Sequence, residues 1–186
     1  MPHIAAPEGV PGLAGLVAFK RSTGDALLAF ANELLRGPSP LSPAERELIA
    51  AFVSSRNDCY FCSHTHQAVA SHLLGDDGAA ACAVIEDPAS APVSDKMRAL
   101  LQLAAKVQRS GKEVTESDID AARTAGATDE DIHDAVLVAS AFCMFNRYVD
   151  GLAATTPTDD AVYTFIGALL GEQGYHGQLA GGSPPT

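Results

Sequence analysis

Apolar positions along the chain recur every three or four residues and almost never alternate. In "GDALLAFANELLRGP" the residues Leu27, Leu28, Phe30, Ala31, Leu34 and Leu35 keep helical spacing, and the run stops at Gly37 and Pro38. "SPAERELIAAFVSS" opens with a capping box: Ser42 as N-cap, Pro43 at the first helical position and Glu45 three residues after the cap. "NDCYFCSHTHQAVASHLLG" reads as a separate helix with Asn57 or Asp58 as its cap and Cys59 in its first turn. A short helix over "DDGAAACAVIED" and a loop over "PASAPVS" follow, and "SDKMRALLQLAAKVQRSG" is amphipathic and closes on Gly111. "TESDIDAARTAG" and "TDEDIHDAVLVASAFCMFNRYVDGLA" each open on a Thr with an Asp three residues later. "TDDAVYTFIGALLG" makes the last helix. Residues 1–22, rich in Pro and Gly, are expected to form an arm with at most a short helix, and the chain from Gly171 onward a flexible tail. No stretch alternates β-branched residues, and no hairpin dipeptide joins two such stretches, so the expected fold class is all-α, in one domain. The stretch Ala135 to Phe145 is apolar on every face, which places its helix centrally or in a subunit interface.

Composition narrows the function classes. At 186 residues with 47% hydrophobic and 19% charged positions, the chain can bury a real core. A net charge of −11 with only 12 Lys and Arg repels phosphate backbones, so no nucleic-acid partner is expected. The longest apolar run is too short to span a bilayer, so no membrane partner is expected either. The N-terminal "MPHIAAPEGVPGLAG" lacks the cationic start and apolar run of a secretory signal, which predicts a cytoplasmic protein. In a reducing compartment, four cysteines point to chemistry or metal before a permanent disulfide.

The chemistry concentrates in "CYFCSHTH". Cys62 stands at i+3 from Cys59, within disulfide range on a helix, and His66 lies four residues beyond Cys62 on the same stripe. A helix N-terminus and a nearby imidazolium both favour thiolate over thiol. A thiolate that attacks a peroxide becomes a sulfenic acid, which a second cysteine three residues away can convert to a disulfide. By its position nearer the helix end, Cys59 is expected to be the more acidic thiol. His64 points elsewhere on the helix, His72 lies roughly on the same side but almost three turns beyond Cys62, and both read as satisfied or solvent-facing. Cys82 and Cys143, in "AAACAVI" and "SAFCMFN", read as buried small hydrophobes. Zinc is the competing reading. Cys59, Cys62 and His66 supply three ligands, and a fourth would have to come from Cys82, Cys143 or His133.

The run "LSPAERELIAAFVSSRNDCYFCSHTHQAV" resembles the alkylhydroperoxidase D-like (AhpD-like) group of the carboxymuconolactone decarboxylase family, in the branch of peroxidase-related enzymes. That group shows a Glu, eleven intervening residues, Cys-x-x-Cys and a His four beyond. This chain has Glu47, Cys59, Cys62 and His66 at those spacings, and "FNRYVDGL" resembles the group's Asn-Arg-x-x-Asp-x-Leu segment. The resemblance implies an AhpD-like helical core over 38–155. An N-terminal arm and helix over 1–37 precede it, and a C-terminal helix over 156–170 and the tail 171–186 follow. It further implies a homo-oligomer, trimeric or hexameric. The implied activity is reduction of organic hydroperoxides, with Cys62 attacking and Cys59 resolving. A dithiol protein or lipoyl-type donor would re-reduce the pair, and no cofactor or metal would be needed. Members of the group carry a His between the cysteines, whereas this chain has Tyr60 and Phe61, which cannot relay protons that way and would shape an apolar entrance. Lower activity or a different substrate therefore stays open, as do a redox-sensing pair with little turnover and a zinc-stabilised oligomer. "CYFC" argues against a lactone decarboxylase. Glu47 is the one carboxylate expected at the site. Its neighbours Ala50, Ala51 and Ser54 let another helix approach and bury it beside His66, where it would set the imidazole's tautomer, while Glu45 caps and faces water.

Overall fold

The computed structural model describes residues 2–175. Among these the chain forms nine α-helices and no strand: α1 (Gly12–Phe19), α2 (Arg21–Arg36), α3 (Pro43–Arg56), α4 (Tyr60–Leu74), α5 (Ala79–Glu86), α6 (Asp95–Arg109), α7 (Glu116–Thr124), α8 (Asp129–Gly151) and α9 (Asp160–Gln173). A single 3₁₀ turn, Gly111–Glu113, joins α6 to α7.

The helix starts follow the chemistry of their caps. Ser42 Oγ accepts from the Glu45 N–H at 3.2 Å, and Glu45 Oε2 accepts from the Ser42 N–H at 2.8 Å. Thr115 with Asp118 and Thr128 with Asp131 form the same reciprocal box at α7 and α8. Behind its cap α3 is buried from Arg46 to Ser54, so it forms the axis of the molecule, with α2, α4, α5, α6 and α8 packed around it. Helix α8 turns Ala135, Val138, Ala139, Phe142 and Phe145 into that core, but Leu137 and Met144 stand 36% and 44% exposed. The apolar stretch is therefore central along one face and open along the other.

Small residues bring α9 onto α4. A Cβ at Gly167 would sit 2.7 Å from the Ala68 carbonyl carbon, and one at Gly171 would sit 2.3 Å from the His72 ring. Such approach is possible only without side chains there. The chain then continues past the expected boundary. Helix α9 runs to Gln173, Gly174 turns with φ 66°, and the Tyr175 N–H donates to Asn32 Oδ1 at 3.0 Å. Tyr175, read from sequence as tail, is a core residue. The rest of that expected tail, 176–186, lies outside the described residues.

Two cysteine expectations are also corrected. Cys82 is exposed, because the short α5 turns its neighbours Ala81 and Val84 inward instead. Cys143 is only half-buried, at the edge of α8, with its sulfur 3.7 Å from Asn57 Nδ2.

Candidate active site

The corner between α3 and α4 is built from three residues. Asn57 ends α3, Asp58 takes the left-handed conformation at φ 56°, and Cys59 is the N-cap of α4. Asn and Asp tolerate such turns because their short polar side chains bond locally. Neither Asn57 nor Asp58 is the cap expected from sequence, and Cys59 sits one step before the first turn. Asn57 instead braces the corner. Its Nδ2 donates to Asn146 Oδ1 at 2.8 Å, its Oδ1 accepts from Gln108 at 2.8 Å, and Asn146 donates to Ser54 Oγ at 3.0 Å. The "N-x-C" flank and the "FNRYVDGL" segment are thus two halves of one contact.

Both cysteines carry free thiols and both are buried. The Cys59 thiol lies within hydrogen-bonding reach of Cys62. That bond, and then burial, push Cys59 well above the ordinary thiol range. Cys59 is therefore the thiol that keeps its proton, against the expectation from its place at the helix end. The two cysteines also face different spaces. Cys62 borders an internal cavity of about 20 Å³ together with Phe61, Thr65, His66 and Tyr175, whereas Cys59 borders a surface hollow of about 200 Å³ with Ser55, Ser63 and His64. Of the two aromatics between the cysteines, Phe61 walls the cavity, while Tyr60 lies outside and stacks on His64 at 3.7 Å.

Glu47 sits midway along α3 and is 0% exposed. Its Oε2 is 2.6 Å from His66 Nδ1, and its Oε1 accepts from Arg36 Nη1 at 2.7 Å and from the Tyr175 hydroxyl at 2.8 Å. Burial alone would raise this carboxyl. His66, Arg36 and Tyr175 outweigh burial and hold it below the usual carboxylate range. An ionised carboxylate can only accept, so Nδ1 of His66 carries a proton and Nε2 is the ring nitrogen turned away from Glu47. Burial first, and then the charge of Glu47, push the Tyr175 phenol well above its ordinary value, so it stays a neutral donor. Its ring stacks with His66 at 6.0 Å, and Phe142 meets the imidazole edge-on at 4.5 Å. The imidazole is held on three sides.

Glu47, Cys59, Cys62 and His66 thus lie in one assembly of α3 and α4. His64 bonds the Tyr60 carbonyl at 2.9 Å, His72 lies 4.0 Å from Glu172, and His133 is exposed beside Asp134. Among the described residues no three His, Cys, Asp or Glu side chains converge to hold a metal ion, so the ligand set considered for zinc is not gathered. Arg36 and Tyr175 went unrecognised in the sequence. A basic residue ending a helix before Gly-Pro reads as an ordinary C-terminal charge, and "GEQGYHGQ" carries no signal at all.

Comparison with known proteins follows the same residues. Residues 22–104 match the model of the carboxymuconolactone decarboxylase family, a span that contains Arg36, Glu47, Cys59, Cys62 and His66. No relative matches among the curated proteins. Among solved structures, an uncharacterized peroxidase-related protein from Silicibacter sp. TM1040 is 34% identical with a TM-score of 0.74, covering 80% of this chain and 78% of that one. An uncharacterized peroxidase-related protein from Ralstonia eutropha JMP134, described as an alkylhydroperoxidase AhpD core, is 25% identical, also at 0.74, covering 84% and 81%.

Proposed function

The chain belongs to the carboxymuconolactone decarboxylase family, with an AhpD-like fold, and from that premise we propose that it is a thiol-dependent peroxidase of organic hydroperoxides. The single observation that carries this reading is the buried Glu47–His66 pair beside Cys62 at the cavity wall. His66 Nε2 takes the Cys62 proton, and the thiolate attacks the terminal oxygen of the hydroperoxide. A sulfur–oxygen bond forms, the O–O bond breaks, and the leaving alkoxide receives the proton from His66 as an alcohol. Cys59 then attacks the Cys62 sulfenic acid, releasing water and leaving a disulfide. A dithiol protein or lipoyl-type donor restores the pair, approaching from the surface hollow that Cys59 borders. Leu13, Phe61, Phe142 and Phe145 form the apolar side of the cavity and leave its few polar groups free for the peroxide oxygens. No cofactor or metal enters the cycle, and a reducing cytoplasm is the compartment that suits it.

The test is a count of free thiols before and after one equivalent of tert-butyl hydroperoxide. The count is expected to fall by two. Cys62→Ser is expected to prevent the fall, and Cys82→Ser and Cys143→Ser to leave it unchanged. A steady count in the wild type at neutral pH would overturn the reading. The narrow cavity favours one second reading, a redox-sensing pair with little turnover. Steady-state peroxide consumption with dithiothreitol separates the two.

A further inference from the structure

Thr65 is 3% exposed, and its hydroxyl is buried with no hydrogen-bond partner. A threonine inside a helix has an easy remedy, since its hydroxyl can bond the carbonyl four residues earlier. Four other helical hydroxyls of this chain take it. Ser71 bonds Gln67, Thr124 bonds Asp120, Ser140 bonds Val136 and Thr164 bonds Asp160, at 2.8 to 3.1 Å. Thr65 does not, although Phe61 stands in the required place. A buried hydroxyl kept without a partner calls for an explanation in the function of its surroundings.

Those surroundings are the cavity that Cys62 borders. Its polar neighbours are Cys62, Thr65, His66 and Tyr175. The Tyr175 hydroxyl is committed to Glu47, and so is His66 Nδ1. The remaining hydrogen-bonding capacity is His66 Nε2 and the Thr65 hydroxyl. A space of about 20 Å³ holds a group about as large as one water, which is the scale of a single peroxide oxygen and not of an alkyl chain. Thr65 also lies three residues beyond Cys62, on the same face of α4 and one turn away.

We propose that Thr65 is a catalytic residue that donates a hydrogen bond to the leaving oxygen of the hydroperoxide while Cys62 attacks the terminal one. The assignment rests on the peroxidase reading and deepens it. As the O–O bond breaks, negative charge grows on the oxygen bonded to carbon, and a donor already in place costs no reorganisation. His66 then delivers the proton that came from Cys62, and Thr65 keeps its own. The same donor explains how the site works without a histidine between its cysteines. One imidazole handles the proton, and a hydroxyl on the preceding residue steadies the charge.

The experiment compares two reactions of Cys62 in the reduced full-length protein, using Thr65→Val and Thr65→Ser. Stopped-flow oxidation by tert-butyl hydroperoxide and by hydrogen peroxide needs a leaving-oxygen donor, and alkylation by iodoacetamide does not. Thr65→Val is expected to slow oxidation by both peroxides roughly a hundredfold, the scale of one lost oxyanion donor, with alkylation within about twofold of wild type. Thr65→Ser is expected to recover most of the oxidation rate. Because valine removes an unpartnered polar group at equal volume, the melting temperature is expected to hold or rise. Oxidation by Thr65→Val at the wild-type rate would overturn the assignment and leave the peroxidase reading standing. Equal slowing of oxidation and alkylation would reduce Thr65 to packing and overturn it as well. A wild type that neither peroxide oxidises would overturn the peroxidase reading, and the assignment with it.

Discussion

A single carboxylate organises the site at the scale of residues. Glu47 is fully buried and accepts from His66, Arg36 and Tyr175, so these three donors hold its charge. Glu47→Gln removes the acceptor that orders the imidazole. Peroxide oxidation and iodoacetamide alkylation of Cys62 at neutral pH are both expected to slow by roughly ten- to a thousandfold, as when a general base loses its orienting partner. Glu45→Gln is expected to leave both rates unchanged and to cost at most about 0.5 kcal/mol of stability, since a glutamine there still accepts from the Ser42 N–H and only the charge at the helix N-terminus is lost. The two substitutions differ because one carboxylate closes a helix end and the other faces the imidazole. The pH dependence of stability follows from the same residue. Its folded value is depressed, so its contribution is complete above the ordinary Glu value of 4.5 and fades as pH falls through the lower folded value. The melting temperature of the wild type is therefore expected to fall more steeply than that of Glu47→Gln between about pH 6 and about pH 3. Parallel curves would show that folding does not lower the pKa of Glu47.

Between helices, the contact that matters most for the site is that of α9 on α4. Gly167 and Gly171 lie one turn apart and seat α9 against Ala68 and His72, and the turn after α9 delivers Tyr175 to Glu47 and His66. Gly167→Ala would drive a methyl group into the backbone of α4. A loss of about 1–3 kcal/mol in thermal or urea unfolding is expected, together with slower peroxide oxidation because Tyr175 is displaced. Gly151→Ala is the contrasting case at the end of α8. It has open space around it and an unstrained backbone, so a gain of up to about 1 kcal/mol is expected, with unchanged oxidation. Helix spacing and caps made most of these elements legible, from the box at Ser42 to the long α8. Their contacts were not legible, because a glycine in "FIGALLGEQG" reads equally as a helix breaker, an ending or a seat for a neighbour.

On the whole molecule, an apolar surface remains to be covered. Phe30 and Leu137 border one shallow hollow, and Met144 lies two turns beyond Leu137 on the same side of α8. Water contact with these side chains is unfavourable, and a second copy of the chain would remove it. Sedimentation is expected to give a mass that is a multiple of 19.2 kDa at micromolar concentration, and Leu137→Lys combined with Met144→Lys is expected to return it to one chain. A single-chain mass for the wild type would count against the assembly. No helix among the described residues is long and apolar enough to cross a membrane, so this surface is not part of a membrane-spanning helix.

Spacing alone determined the all-helical class, most helix limits and the grouping of Cys59, Cys62 and His66, because each depends on residues within one helix, while Glu47 joined them only through the family resemblance. Periodicity and caps are local, and a stripe of residues at i, i+3 and i+7 is already geometry. Tertiary structure alone decided which groups complete the site. Arg36 and Tyr175 stand 11 residues before and 128 after Glu47, so no local pattern connects them to it. Tertiary packing also decided that Cys59 keeps its proton, since a hydrogen bond to Cys62 and burial outweigh nearness to a helix end. The unmet hydroxyl of Thr65 belongs to the same class. A threonine in a helix is unremarkable until the packing around it shows that its usual partner is not taken and that a cavity lies beside it.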